Sequence, residues 1–124
     1  MAKIFLTVGS IAMVLAVTLG AFGAHGLKNS LTQEMLDIFE TGVQYHFYHA
    51  LGLLAIGLTA KYLPSSSLLS WSGWLMITGI FIFSGSLYTL SISGIRWLGA
   101  ITPIGGICFI AAWVLLALAI WKGF

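Results

Sequence analysis

Charge is the scarcest feature of this chain. Its 124 residues include five Lys or Arg and three Asp or Glu, 6% of the total against about a quarter in soluble domains. So few ionisable groups, with a formal net charge of +2, offer no footprint for a nucleic-acid partner. Cysteine occurs once, as Cys108 inside an apolar stretch, so no internal disulfide can form and redox compartment goes unreported. Proline occurs twice, at Pro64 in a polar connector and at Pro103 where an apolar stretch begins. No apolar stretch carries a charge at its middle or a half-helix break, so a transport pathway would have to form between copies. No serine sits in a nucleophile elbow, and the only carboxylate near the histidines is Glu40, which makes acyl transfer a poor reading. Repeats and low-complexity tracts are absent.

What is present is hydrocarbon. Hydrophobic residues make up 60% of the chain, and the mean hydropathy is +1.06. Four uncharged stretches, Ile4–Ala24, Val43–Leu63, Trp71–Leu90 and Pro103–Trp121, each reach roughly the ~20 residues an α-helix needs to cross a bilayer. The expectation is an all-α protein, residues 1–124 forming a single integral membrane bundle of four transmembrane helices. Lys3 before the first stretch resembles a signal peptide. The run is longer than the usual apolar core of one, however, and Phe22 would fall three residues before a cut after Ala24, so the reading is a retained helix.

Four spans put both termini on one side with Lys3, Lys61 and Lys122, leaving Lys28 and Arg96 opposite. The basic-residue rule then places both termini in the cytoplasm. Trp71, Trp74 and Trp121 near one interface, with Tyr88 and Trp97 near the other, suit an aromatic belt. The first outer connector carries an amphipathic segment. Ser30 and Gln33 have capping-box spacing, and Leu31, Met35, Ile38 and Gly42 oppose Gln33, Glu34, Asp37 and Glu40. This segment either lies at the interface or runs straight into the second span. Thr102 followed by Pro103 reads as an N-cap and first helical residue.

Small residues recur every four positions at Ala12, Ala16, Gly20 and Ala24, and a second stripe runs through Gly105, Cys108, Ala112 and Ala119. In lipid such stripes let helix backbones approach closely. They serve packing inside one bundle, an interface between copies, or both, and a homo-oligomer through them is expected alongside the lipid bilayer and other membrane proteins as partners.

Polar groups inside a membrane are costly and tend to mark function. Here they gather toward the outer half: His25, Glu40, Gln44, Tyr45, His46, Tyr48, His49, Tyr88, Arg96 and Thr102, with Ser84 and Ser86. Glu40, Gln44 and Tyr48 share one face of the second helix, and His46 and His49 another with Gly42 and Leu53. His46 and His49, three apart, could ligate one metal with His25 as a third ligand. The blander alternative has these imidazoles bonding backbone carbonyls or Tyr hydroxyls. Between the two stands a small ligand or a proton. Di-iron Glu-x-x-His pairs and the zinc signature are missing. Arg96 and Glu40 are the expected ion pair across the outer end, with a lipid phosphate as the other option for Arg96. No cofactor is specified.

Four ordered motifs carry a resemblance. They are Gly20-Ala21-Phe22-Gly23-Ala24-His25-Gly26-Leu27, Phe39-Glu40-Thr41-Gly42-Val43-Gln44-Tyr45-His46-Phe47-Tyr48-His49-Ala50-Leu51, Gly85-Ser86-Leu87-Tyr88, and Arg96-Trp97-Leu98-Gly99-Ala100-Ile101-Thr102-Pro103-Ile104-Gly105-Gly106. Over essentially its whole length the chain resembles the small bacterial inner-membrane family known as domain of unknown function 423, or UPF0382, which looks related to eukaryotic transmembrane protein 256. The resemblance implies a four-span membrane protein. It draws attention to His25, Glu40, His49, Arg96, Thr102 and Pro103 without giving any of them a role, because the family has no assigned activity. The functional expectation is a non-enzymatic structural or accessory component that self-associates. The alternatives are a binding protein for metal, haem, quinone or lipid headgroup, and a transporter or channel subunit.

Overall fold

A computed structural model describes every residue from Met1 to Phe124. All regular structure is helical: α1 (Ala2–His25), α2 (Gln33–Ala60), α3 (Ser67–Gly79), a π-helical segment (Ile80–Ser84), α4 (Gly85–Ser93), a 3-10 turn (Arg96–Ala100) and α5 (Thr102–Gly123). Because α3, the π segment and α4 follow without a break, the chain makes four rods. Three of them, spanning Ala2–His25, Ser67–Ser93 and Arg96–Gly123, are long and apolar enough to cross a membrane. The fourth, α2, is 28 residues long, but Glu34, Asp37, Glu40, Gln44 and two histidines lower its hydropathy. The expectation of four uniformly apolar spans therefore holds for three.

Helix α2 starts ten residues before the expected second span, so the amphipathic segment and the span are one continuous helix. Its cap is Thr32 and not Ser30: the Thr32 Oγ1 accepts from the Met35 N–H at 3.2 Å. Ser30 is held in the preceding turn, where its own N–H donates to the Leu27 carbonyl. The Gln33 amide reaches forward to Asp37 at 2.8 Å, so the capping box does not close. Ser66 caps α3 by accepting from the Leu69 N–H. At α5 the cap position belongs to Ile101, and Thr102 is already helical. Helix α4 ends on Gly94 at φ 74°, a left-handed conformation that glycine adopts without a Cβ penalty.

The rods pack as two hairpins side by side. Helix α1 lies along α2, α5 lies along α3 and the π segment, and α2 joins the pairs through α3, the π segment and α4. Both termini and the turn after α2 share one end, where Leu63 lies against Gly123. The main core fills the middle with Phe5, Leu53, Ile56, Leu69, Met76, Phe109 and Leu116. Phe5 lies over Gly73 and meets the Trp74 ring edge-on, pinning α1 to α3 near that end.

Both small-residue stripes are occupied inside the chain. Ala12 and Ala16 are buried, Gly20 approaches Val43 of α2, and Ala24 is left exposed. On α5, Gly105, Ala112 and Ala119 are buried and Cys108 is half-buried. Gly105 makes the closest approach to another helix's backbone: a Cβ there would stand 2.5 Å from the Phe83 backbone nitrogen, so two backbones touch where the π segment bulges.

Candidate functional site

The polar residues expected to form one cluster are distributed over three places. At the end of the bundle opposite the termini, Arg96 in the 3-10 turn donates to both carboxylate oxygens of Glu34, at 2.8 and 3.3 Å. The pair is solvent-exposed. This corrects the expected Arg96–Glu40 pair, and helix geometry gives the reason. Six residues turn a helix through roughly 600°, so Glu34 and Glu40 leave α2 about 120° apart. Glu40 lies instead with Gln44 beside Gly20, Gly23 and Ala24 of α1, in a cleft of about 220 Å³.

The Arg96 guanidinium holds the Glu34 carboxyl below its ordinary value of 4.5, by hydrogen bonding first and charge attraction second. A depressed carboxylate favours the folded form above its unfolded pKa and loses that contribution as pH falls through the lowered value. On acidification, the tie between the 3-10 turn and α2 should therefore survive at pH 4.5 and open below it. The Glu34 carboxylate infrared band checks this. Because the pair is exposed, Glu34→Gln should leave the thermal midpoint near wild type at physiological salt.

In the interior, His46 and His49 leave α2 toward different neighbours. The His46 Nδ1 lies 2.9 Å from the Tyr88 hydroxyl. One turn earlier on α2, the Gly42 carbonyl accepts from the Ser84 hydroxyl at 2.7 Å. These two bonds tie α2 to the π segment and α4. His49 Nδ1–H donates to the Tyr45 carbonyl at 2.7 Å, and its ring stacks on Phe109 at 3.4 Å and 7°. A Tyr hydroxyl and a backbone carbonyl are the partners offered above as the alternative to a ligand. His25 is exposed at the end of α1. No three His, Cys, Asp or Glu side chains come together as a metal would require, so His25, His46 and His49 are not brought to one point. Thr102 bonds Ser86 at 2.6 Å, joining α5 to α4 instead of capping its own helix.

Tyr45 and Tyr48 are both exposed, Tyr45 packing its ring on Phe83 at 4.4 Å and on Tyr48 edge-on. The predicted division of α2 into two faces is therefore present. His46, His49, Gly42 and Leu53 point inward, whereas Glu40, Gln44 and Tyr48 point outward.

Beyond the Phe5 contact, α1 and the π segment diverge and leave a groove of about 260 Å³ over α2. Its walls are apolar, with Ile11, Leu15 and Phe81 exposed at the rim and His46, Ser84 and Tyr88 at one end. The sequence reading missed this groove and the π segment beside it. It also gave no partner to Ser72, whose buried hydroxyl donates to the Ala112 carbonyl at 2.6 Å. The available signal was Ser72, Ser84 and Ser86 inside an otherwise apolar run, since a hydroxyl in lipid needs an acceptor close by.

A family model described as "Protein of unknown function (DUF423)" matches residues 19–106. The chain is 50% identical over 117 residues to the UPF0382 membrane protein YwdK of Bacillus subtilis, covering 94% of this chain and 95% of that one. It is 47% identical over 120 residues to a UPF0382 membrane protein of Staphylococcus saprophyticus, covering 97% and 98%. A third, from Staphylococcus haemolyticus, is 44% identical over 120 residues, with 97% of each chain covered. No solved structure matches. The link to eukaryotic transmembrane protein 256 rests on the motif resemblance alone.

Proposed function

The chain belongs to the DUF423 family, whose relatives are named UPF0382 membrane proteins, and on that premise we propose that it is a non-enzymatic membrane component that works by lateral association, with copies of itself first. All four rods cross the cell membrane in this reading, α2 included. The three apolar rods pack around its inward face and shield its histidines from lipid. Lys3, Lys61 and Lys122 at the end that holds both termini favour the cytoplasm for that end. The observation that carries the reading is the disposal of polar groups on α2. Its inward-facing His46 and His49 are hydrogen-bonded within the chain, and the remaining polar side chains of the helix are turned outward. A helix with that pattern has finished its internal business and still presents polar groups to its surroundings. Donor and acceptor fluorophores on separate copies of the full chain, mixed in phosphatidylethanolamine–phosphatidylglycerol vesicles, should show energy transfer that rises with protein density and is competed by unlabelled chain. Transfer no greater than random proximity would overturn the reading.

The groove favours a second, compatible reading as a binding protein. Its volume lies just below the ~300–1,000 Å³ of ordinary ligand pockets, which suits one hydrocarbon chain better than a macrocycle such as haem. The rim residues face the bilayer, so the occupant would be a lipid chain entering sideways. Ile11→Trp fills the mouth without touching the core. It should remove lipid that otherwise co-purifies at about one per chain in native mass spectrometry, and equal lipid in both proteins would retire this second reading.

A further inference from the structure

We infer that the outward face of α2 is a two-fold seam on which a second copy of this chain docks in parallel, with Gln44 of each copy bonded to the other. This rests on the association reading above and names its surface. Thr41, Gln44, Tyr48, Leu51, Ala55 and Leu58 follow one another at alternating spacings of three and four residues. That is the period at which two helices keep one seam in contact as they supercoil. All but half-buried Thr41 are exposed, and the face lies opposite His46; only at Gln44 does it border another helix, across the cleft to Gly20, Gly23 and Ala24 of α1.

Depth makes the exposure significant. Counting from Glu40 at the outer end, Gln44 sits about 6 Å and Tyr48 about 12 Å further along the helix. On the span beginning at Val43, Gln44 stands at the edge of the hydrocarbon and Tyr48 within it, where no water receives a phenol; Tyr48 therefore needs a partner in protein, and Gln44 gains one beside it. Side-chain hydrogen bonds on α2 are made by Gln33, Glu34, Asp37, Thr41, His46, His49 and Thr59; Gln44 and Tyr48 make none. A second copy supplies what each lacks. Glutamine carries both donor and acceptor, as does the tyrosine hydroxyl, so each group is complementary to itself. An axis along the membrane normal brings identical residues to the same depth, and an isologous interface then pairs Gln44 with Gln44. Below them Leu51, Ala55 and Leu58 continue the seam, with Ala55 allowing close approach. The Gly/Ala stripes are not available for this purpose, since α1 and α5 use them internally.

The test uses full-length chain in the same vesicles. Oxidation should cross-link the Gln44→Cys and Ala55→Cys variants as dimers, whereas Val14→Cys, exposed on the outer side of α1, should not cross-link above the Cys108 background. Gln44→Leu should weaken energy transfer between copies by about 5- to 30-fold in association constant, the range expected for an interhelical hydrogen bond in lipid. Wild type that stays monomeric at every density would overturn association itself. Wild type that associates, while Gln44→Leu associates equally well or cross-links form at Val14→Cys and not at positions 44 and 55, would overturn the seam alone.

Discussion

Gly105→Val should lower the stability of the chain by about 3 kcal/mol, a large share of the roughly 5–15 kcal/mol that holds a folded chain together. A Cβ at this position would stand 2.5 Å from the Phe83 nitrogen and 2.8 Å from its Cα, distances no side-chain rotation can relieve. Phe83 cannot retreat easily. Its segment is tied to α2 by the bond from Ser84 to the Gly42 carbonyl, and α4, which continues it, is tied to α5 by the Ser86–Thr102 pair. Gly106→Ala is the matched control, because its added Cβ would meet only the Phe83 ring at 4.0 Å. Thermal unfolding of the two variants in maltoside micelles separates the cases. A Gly105→Val protein as stable as Gly106→Ala would show that the π segment yields freely.

The second large effect is expected at Tyr88. Its ring lies on Gly42, packs against Phe39 with centroids 5.0 Å apart, and ends in the hydroxyl that meets His46. Tyr88→Ala opens a void among all three and should cost about 3 kcal/mol, the lower end for removing a packed aromatic ring. The lower end applies because in lipid the lost packing is not supplemented by a hydrophobic term between helices. Tyr88→Phe keeps the ring and removes one hydrogen bond, so about 1 kcal/mol is expected. Unfolding midpoints test the order of the two, and a nitrogen-15 spectrum of His46 should change in both. If Tyr88→Phe were as damaging as Tyr88→Ala, the hydroxyl and not the ring would hold α4 on α2.

The sequence by itself determined the medium and the rods. Long apolar runs interrupted by short polar connectors leave a helix as the only way to satisfy the backbone in hydrocarbon, so the helical ranges follow from hydropathy and length. The same local periodicity separated the inward face of α2, with His46 and His49, from the outward face with Gln44 and Tyr48, because which residues share a face depends only on 100° per residue. Caps and pairings were less legible. Thr32 replaced Ser30 and Glu34 replaced Glu40, since each choice depends on where the neighbouring turn carries its backbone and not on residue type.

What only the tertiary structure decided is who meets whom between rods. The small stripes suited internal packing and copy-to-copy contact, the first more than the second, and the packing of α1 on α2 and of α5 on α3 took up all but Ala24. The π segment has no composition of its own; it sits where Gly105 brings two backbones together and Ser84 finds a carbonyl on another helix. The groove between α1 and that segment exists because Phe5 pins one end while the rods diverge beyond it. Distances of this kind are set by the rotation and tilt of whole helices, and those are the sum of many contacts that no local stretch of sequence contains.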